Sequence, residues 1–495
     1  MDISESVGMG LWQLPPALLT FYRGVPSAML MMAVNFAAPK IQIWCKNDMG
    51  ENGGFTKLHN LSAGESLNFG ECWTKRNGSM IECKSWEFDH SVFSWTLNEE
   101  FNLVCERAWL RPISQSFYLT GMLMGNFIFS HLSDRHGRRI SIFLSSAFML
   151  IFGFMCAFST SMTMYNLTRV LASLGTGGIQ STSITLFMEA VPSRNRILFV
   201  LTYGFGWILG QECLAGLAYC FRNWRHMQMA LSLSSLPLIL LWFFIPESPR
   251  WLLTSGKTED AKKEIERAAR LNKVNPPNFQ AILESVTLTK GPSKRLTLLD
   301  LMRGPKLRRT TFVVWFTYMA SRILYFHLSF TSSLIEGNIF LNYAAVEIFE
   351  VPGKILGALA MKYFRRKVSI ALLFFGAAGS YLLFLAFDKG STWTMVSVCA
   401  LNMFFTSAAL EMLCVYAGEL FPTSVRTMGL GSAYMVSRVG STIAPFLSTI
   451  VAPRGVMEAS LSTLQLLAAM SLMLVPETLH KRLPDTLEDA ELPLR

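Results

Sequence analysis

Six ionisable residues stand inside otherwise apolar stretches of the second half of the chain: Arg322, Glu347, Glu350, Lys354, Glu411 and Arg438. A charge in such surroundings is costly, so it faces a cavity, a partner or a substrate. Glu347, Glu350 and Lys354 are spaced i, i+3, i+7 and share one helical face. Pro352 and Gly353 loosen that helix beside them. Arg438 offers a planar fork that can pair with a carboxylate through two hydrogen bonds, and Lys354 adds a point charge. The chemistry on offer is recognition of a small charged molecule. Two internal pairings compete with it. Glu350 and Lys354, four residues apart, can pair with each other and leave Arg438 dominant. Arg322 can pair with Glu411 or Glu347, or else widen an anion site. Tyr325, Trp315, Phe326 and His327 lie on the same stretch as Arg322 and can stack on a flat ligand. In a chain with 37 Phe, most aromatics are packing, and a lone intramembrane His is mostly a helix-to-helix hydrogen bond.

A second set of residues occurs twice. Glu-x-x-Pro-x-x-x-Arg runs from Glu189 to Arg196 and again from Glu419 to Arg426, and 419 − 189 = 230. PESPRWL starts at Pro246 and PETLHKRL at Pro476, and 476 − 246 is again 230. The first of these holds Glu247 and Arg250. Asp134, Gly137, Arg138 and Arg139 in SDRHGRR have a weaker counterpart in YFRRK, which holds Arg365 and Arg366. Proline ends a helix because it lacks an N–H and clashes with the preceding turn. Gly137 permits a tight turn. The Glu and Arg residues are expected to form latches that hold two halves together in one state and release them in another.

These residues need a scaffold, and composition names it. The chain has 495 residues, 51% hydrophobic and only 16% charged, against about 25% charged in soluble domains. Apolar stretches near the roughly 20 residues that cross a bilayer recur at 14–36, 113–133, 141–160, 165–190, 197–219, 227–246, 309–330, 337–361, 368–387, 392–416, 428–450 and 457–475. The first is interrupted by Tyr22, Arg23 and Pro26, and the last begins beside Glu458. The acidic start lacks the basic region of a cleavable signal. The expected class is an all-α membrane protein with twelve transmembrane helices: an N-terminal six-helix half over 1–256, a helical cytosolic linker over 257–307 and a C-terminal half with a short tail over 308–495.

The net charge of +10 sits in short connections, at 134–139, 193–196, 306–309 and 362–367, all on one side of the membrane. That is the positive-inside pattern, which places both termini in the cytosol and argues against nucleic acid as a partner. The polar loop of about 45–111 falls on the other side. It holds Cys45, Cys72, Cys83 and Cys105 and the sequons at Asn60 and Asn77, so an extracellular, glycosylated, disulfide-bonded module is expected. Four cysteines allow three pairings. No phosphate-binding glycine loop, nucleophile elbow or metal-spaced His/Cys cluster occurs, so neither enzyme, cofactor nor metal is expected.

The stretches NEEFNLVCERAWL (98–110), SDRHGRR (133–139), LGQECLAGLAYCFRNWRH (209–226), PESPRWLL (246–253), YAGELFPTSVR (416–426), SRVGSTIAPF (437–446) and PETL with LPDTLEDAE (476–491) resemble the major facilitator superfamily. More narrowly, they resemble solute carrier family 22, over nearly the whole chain and in order. The resemblance implies the major facilitator fold, alternating access and a central cavity. Ser130 and Phe364 depart from glycines usual in the family's two basic loops. The family's extracellular loop is also commonly longer. The family's anion carriers have Arg at the position of Arg438 and Lys at that of Lys354, and its cation carriers have Asp at the former. The resemblance therefore implies an organic anion, as in the nicotinate- and urate-type members. Exchange against a dicarboxylate, or proton coupling, is implied equally. Glu350, in EVP, is shared with carnitine-type members and suits a zwitterion; an organic cation is the further alternative. A channel and a transporter-like protein that binds without carrying are the competing classes.

Overall fold

The computed structural model describes residues 3–45, 72–76, 79–192, 195, 197–275, 278–280, 282–283, 300–386, 391–422, 425–447, 454–479 and 491. Twelve spans follow one another. Span 1 is Leu14–Met32 continued by Val34–Ala37; span 2 is Leu110–His136; span 3 is Arg138–Cys156; span 4 is Met162–Ala190; span 5 is Ile197–Cys220. Span 6 is split into Trp224–Leu233 and Leu236–Leu241, parted at Ser234 and Ser235 just before Pro237. Spans 7 to 12 are Pro305–Ser332, Ile339–Glu347 with Glu350–Tyr363, Arg366–Ala386, Thr392–Leu420, Arg426–Leu447 and Arg454–Leu472. Among the described residues, five stretches are long and apolar enough to cross a membrane on composition alone: Leu11–Ala37, Arg138–Cys156, Arg366–Leu383, Thr392–Leu420 and Gly455–Leu472. The other spans carry polar groups buried inside the bundle, such as Gln115, Gln211, Gln228 and Glu347.

The duplication read from the motifs is present in the packing. In the first half spans 2 and 4, 3 and 4, and 1 and 5 lie together. In the second half spans 8 and 10, 9 and 10, and 7 and 11 do so, the same pairs advanced by six. The halves meet through span 5 on span 8 and span 11 on span 2, again one relation used twice.

The two faces of the bundle are built differently. The loop between spans 1 and 2 defines one, here the loop face. It holds two two-stranded antiparallel pairs, Ile43–Cys45 with Trp86–Phe88 and Trp73–Arg76 with Ser79–Glu82. Disulfides join Cys45 to Cys83 and Cys72 to Cys105. Asn60 and Asn77 lie outside the described residues. Glu100 moors this loop: it accepts from the indoles of Trp95 and Trp224 at 2.8 and 2.9 Å and from Arg225 at 2.5 and 3.2 Å. Burial alone would raise its pKa, but bonds from Arg225, Trp95 and Trp224 outweigh that and hold it below the usual carboxylate value. Four of the spans that start on this face, 4, 6, 8 and 10, take short local caps: Ser161, Asn223, Asn338 and Ser391 each accept from a backbone N–H of the first turn.

On the opposite, basic face, distant glutamates do the capping. Glu247 accepts from the backbone N–H groups of Arg138 and Arg139 at 2.8 and 3.2 Å, at the start of span 3. Glu477 does the same for Arg366 and Lys367, both at 3.1 Å, at the start of span 9. Glu491 caps span 7 through Lys306 and Leu307 at 3.1 and 3.0 Å. A carboxylate at a helix N-terminus satisfies orphan donors and complements the dipole. The segment after span 6 adds a small core of its own. Val7, Trp12, Trp251, Leu252, Ala261, Ile265 and Ala268 pack together, and the Trp12 indole donates to Glu264 on the helix Thr258–Asn272 at 2.9 Å.

Candidate functional site

The repeated basic-face motifs form two matching clusters. In the first half Arg138 pairs with Glu189 at 2.9 Å and with Asp134 at 3.0 Å. In the second, Arg366 pairs with Glu419, which also accepts from Thr478 at 2.7 Å. Both clusters close within one half. In this conformation, sealed at the loop face, each of these pairs among the described residues ties spans of one six-helix unit. Arg139 lies over the Trp242 ring at 5.0 Å, Arg426 donates to the Phe421 carbonyl at 3.3 Å, and Arg250 and Arg365 are exposed. Arg196 lies outside the described residues.

The departure at Phe364 has a geometric reason. Spans 2 and 3 are joined by Gly137 alone, at φ 101°, where an added Cβ would meet Glu247 at 2.6 Å. Spans 8 and 9 are joined by two residues, Phe364 and Arg365, and Phe364 is extended at φ −120°. The extra residue removes the need for glycine.

The mid-membrane charges converge between the halves. Lys354 pairs with Glu350 at 3.1 Å and with Glu411 of span 10 at 3.6 Å. Tyr325 of span 7 donates to Glu350 at 3.1 Å and accepts from the Trp207 indole of span 5 at 2.8 Å. A continuous polar chain thus runs from span 5 through spans 7 and 8 to span 10. The triad Glu350, Lys354, Glu411 carries one cation against two carboxylates, so Lys354 is already neutralised. Buried pairs of this kind add little stability, but removing one partner strands the other.

Arg438 of span 11 differs. It donates to Gln180 of span 4 at 3.0 Å, a neutral partner from the other half. Arg322 of span 7 is close enough for the two guanidinium groups to repel. Among the described residues no ion pair within 4 Å joins Arg322 to Glu411 or Glu347, although Arg322 is also close enough to Glu411 for the two to attract. Glu411 is instead within 3.6 Å of Lys354, and Glu347 accepts from Gln211 at 2.6 Å. Trp315 lies two turns nearer the basic face, its indole donating to Ser432 at 2.9 Å. His327 is buried away from the halves' boundary. It meets Tyr381 of span 9 at 3.4 Å beside a cavity of about 30 Å³ that Ser380, Asn402 and Glu458 also line.

The structure therefore brings Arg438, Arg322, Lys354, Glu350 and Tyr325 to one level and leaves Trp315 and His327 out. It also supplies partners that the sequence reading did not single out: Gln180, Trp207 and Gln211, all from the first half. Polar residues in otherwise apolar spans were the available signal, weaker than charge. Above this level, towards the loop face, the halves are sealed by rings. Phe340 of span 8 meets Phe36 of span 1 at 5.6 Å, Phe93 of the loop at 5.5 Å and Tyr219 of span 5 at 5.6 Å. Among the described residues, the hydrogen bonds that join the halves lie at this level or towards the loop face, as with Asn35 to Ser329 at 3.3 Å and Ser116 to Thr442 at 3.1 Å.

Comparison with known proteins agrees with this architecture. Residues 71–486 match the family described as "Sugar (and other) transporter". An "Organic cation/carnitine transporter 2" of Homo sapiens is 33% identical over 81% of this chain and 73% of that protein. "Solute carrier family 22 member 4" of Mus musculus is 32% identical over 82% and 74%, and "Solute carrier family 22 member 7" of Bos taurus is 31% identical over 86% and 79%. Among solved structures, the xylose transporter XylE from E. coli, in a partially occluded inward open conformation, superposes with a TM-score of 0.64 at 16% identity. It covers 98% of this chain and 100% of its own. A chain of two matched six-helix halves, with its charges gathered between them and this kinship over most of its length, is a membrane transporter rather than an enzyme, and it belongs to the sugar (and other) transporter family, with the major facilitator fold, as a member of solute carrier family 22.

Proposed function

We propose that the chain carries small organic anions of the carboxylate type, such as nicotinate or urate, across the plasma membrane by alternating access, as an exchanger, with both termini cytosolic. The observation that carries this reading is Arg438: it sits between the halves with a neutral glutamine as its hydrogen-bond partner and a second guanidinium nearby. Its charge is available to a carboxylate in a way that the charge of Lys354 is not. Lys354 then serves to hold Glu350 and Glu411 rather than the substrate. The anion binds at Arg438 between the halves, and the halves rock about it. The basic-face clusters keep each half rigid during the movement.

One observation favours a second reading. The triad of Glu350, Lys354 and Glu411 has an excess of one carboxylate, and a zwitterion could place its cationic end there and its carboxylate on Arg438. Relatives named organic cation/carnitine transporters support that reading.

The test is uptake of labelled nicotinate, urate, carnitine and tetraethylammonium in cells expressing the chain. Anion uptake is expected. Arg438→Asp is expected to abolish it with surface delivery intact. Arg438→Lys, which loses the bidentate fork worth about 2 kcal/mol, is expected to weaken apparent affinity about thirtyfold. Carnitine uptake that vanishes with Glu350→Gln would replace the anion with the zwitterion. Anion uptake unchanged in Arg438→Asp would remove Arg438 from the site.

A further inference from the structure

Glu347 ends the first piece of span 8 and is wholly buried, at 0% exposure. One of its oxygens, Oε2, accepts from Gln211 of span 5 at 2.6 Å. The other, Oε1, has no hydrogen-bond partner. The groups facing it come from three elements. Span 8 contributes Tyr343 one turn before and Glu350 one turn after, with Lys354 a further turn on. Span 7 contributes Tyr325 and Ser329, and span 5 contributes Gln211 and Glu212. Glu411 of span 10 reaches Lys354 and not Glu347. Lys354 is the single cation of this set and is occupied by Glu350 and Glu411.

An ionised Glu347 would therefore be a buried charge facing two other carboxylates with no cation of its own. It would also lie at the C-terminal end of the half-helix Ile339–Glu347, where the dipole is negative. All three conditions favour the neutral acid. Glu350 is not in this position, because its oxygens are taken by Tyr325 and Lys354. The bond from Gln211 crosses between the halves directly beneath the rings of Phe340, Phe36 and Tyr219 that seal the loop face.

We propose that Glu347 is a proton-binding site that gates the loop face. It takes a proton from water on that side as the seal closes, and returns it when the seal opens. The neutral acid can be buried against Gln211; the carboxylate requires water and so favours the parted halves. The proposal rests on the transporter reading but not on the identity of the substrate.

The test reads the seal directly. Ala37, buried beside Phe36, is changed to Cys in a Cys220→Ser background, because Cys220 is exposed at the loop-face end of span 5. Labelling of Ala37→Cys by a membrane-impermeant maleimide is followed in intact cells between about pH 5.5 and 8, after correction for thiolate reactivity with Trp109→Cys, at an exposed position before span 2. Labelling is expected to rise with pH, by up to about tenfold per unit, the slope that one linked proton gives. With Glu347→Gln, which mimics the neutral acid, labelling is expected to stay low throughout. Labelling that is flat with pH in the parent, or that keeps its slope in Glu347→Gln, would overturn the proposal. So would a seal that responds to sodium at fixed pH and not to acid. Failure of the anion reading would show in the uptake panel and leave this labelling unchanged.

Discussion

At the scale of single residues, Arg438 and Lys354 are both cations in apolar spans, and geometry separates them: Lys354 is committed to two carboxylates and Arg438 to an amide. Spacing within span 8 carried the pairing of Glu350 with Lys354. The fate of Arg322 depended on the rotation of span 7 against spans 10 and 11, which no local pattern specifies. Outside the membrane, Glu100 gives a pH prediction of definite sign. Its folded-state pKa is depressed by bonds from Arg225, Trp95 and Trp224 that more than offset burial. Its contribution to loop stability is therefore complete above the ordinary Glu value of about 4.3 and is lost as pH falls through the depressed value. Protease resistance of the loop should decline in acid below about pH 4.3. In Glu100→Gln the loop should be weak at neutral pH too, with a smaller further loss on acidification. Equal resistance of the two proteins at pH 7 would contradict this account.

At the scale of elements, the helices and their number followed from apolar runs, while the way their ends are satisfied did not. Ser161, Asn338 and Ser391 are local caps that a sequence reading can find. The caps by Glu247, Glu477 and Glu491 come from residues 109, 111 and 185 positions away, and nothing local announces them. They show why PESPR and PETL recur: each places a carboxylate on the start of the third helix of its half. Gly137→Ala is expected to cost about 1–3 kcal/mol, since it forces a side chain into positive φ and into Glu247. Arg365→Ala, in the two-residue counterpart, is expected to be nearly neutral. Thermal unfolding of the detergent-solubilised variants measures both, and equal shifts would refute the difference assigned to the two connections.

At the scale of the whole molecule, the duplication in the sequence corresponds to a duplication of contacts. Spans 1 and 5 are answered by 7 and 11, and the seam of 5 on 8 is answered by that of 11 on 2. The seal at the loop face is then the moving part. Paired cysteines at Phe36 and Phe340, whose rings stack at 5.6 Å, should arrest uptake when oxidised, and a reductant should restore it. Uptake that persists in fully cross-linked protein would mean that this seam does not open during transport.

The symmetry of the seam also has a consequence for what the interior can hold. Two surfaces that meet each other by the same relation twice have the contact pattern of a twofold dimer of six-helix units. A true dimer of identical units would offer its cargo identical groups from both sides. In this chain the two sides of the seam differ. Across the seam the second half presents Arg438, Glu347 and Tyr325, and the first answers with the neutral amides of Gln180 and Gln211 and the indole of Trp207, while its own buried Arg23 and Arg169 are held by Tyr203 and by Tyr165 and Gln115 within that half. A seam with twofold contacts thereby encloses a directional interior, in which a ligand with unlike ends has one preferred way to lie.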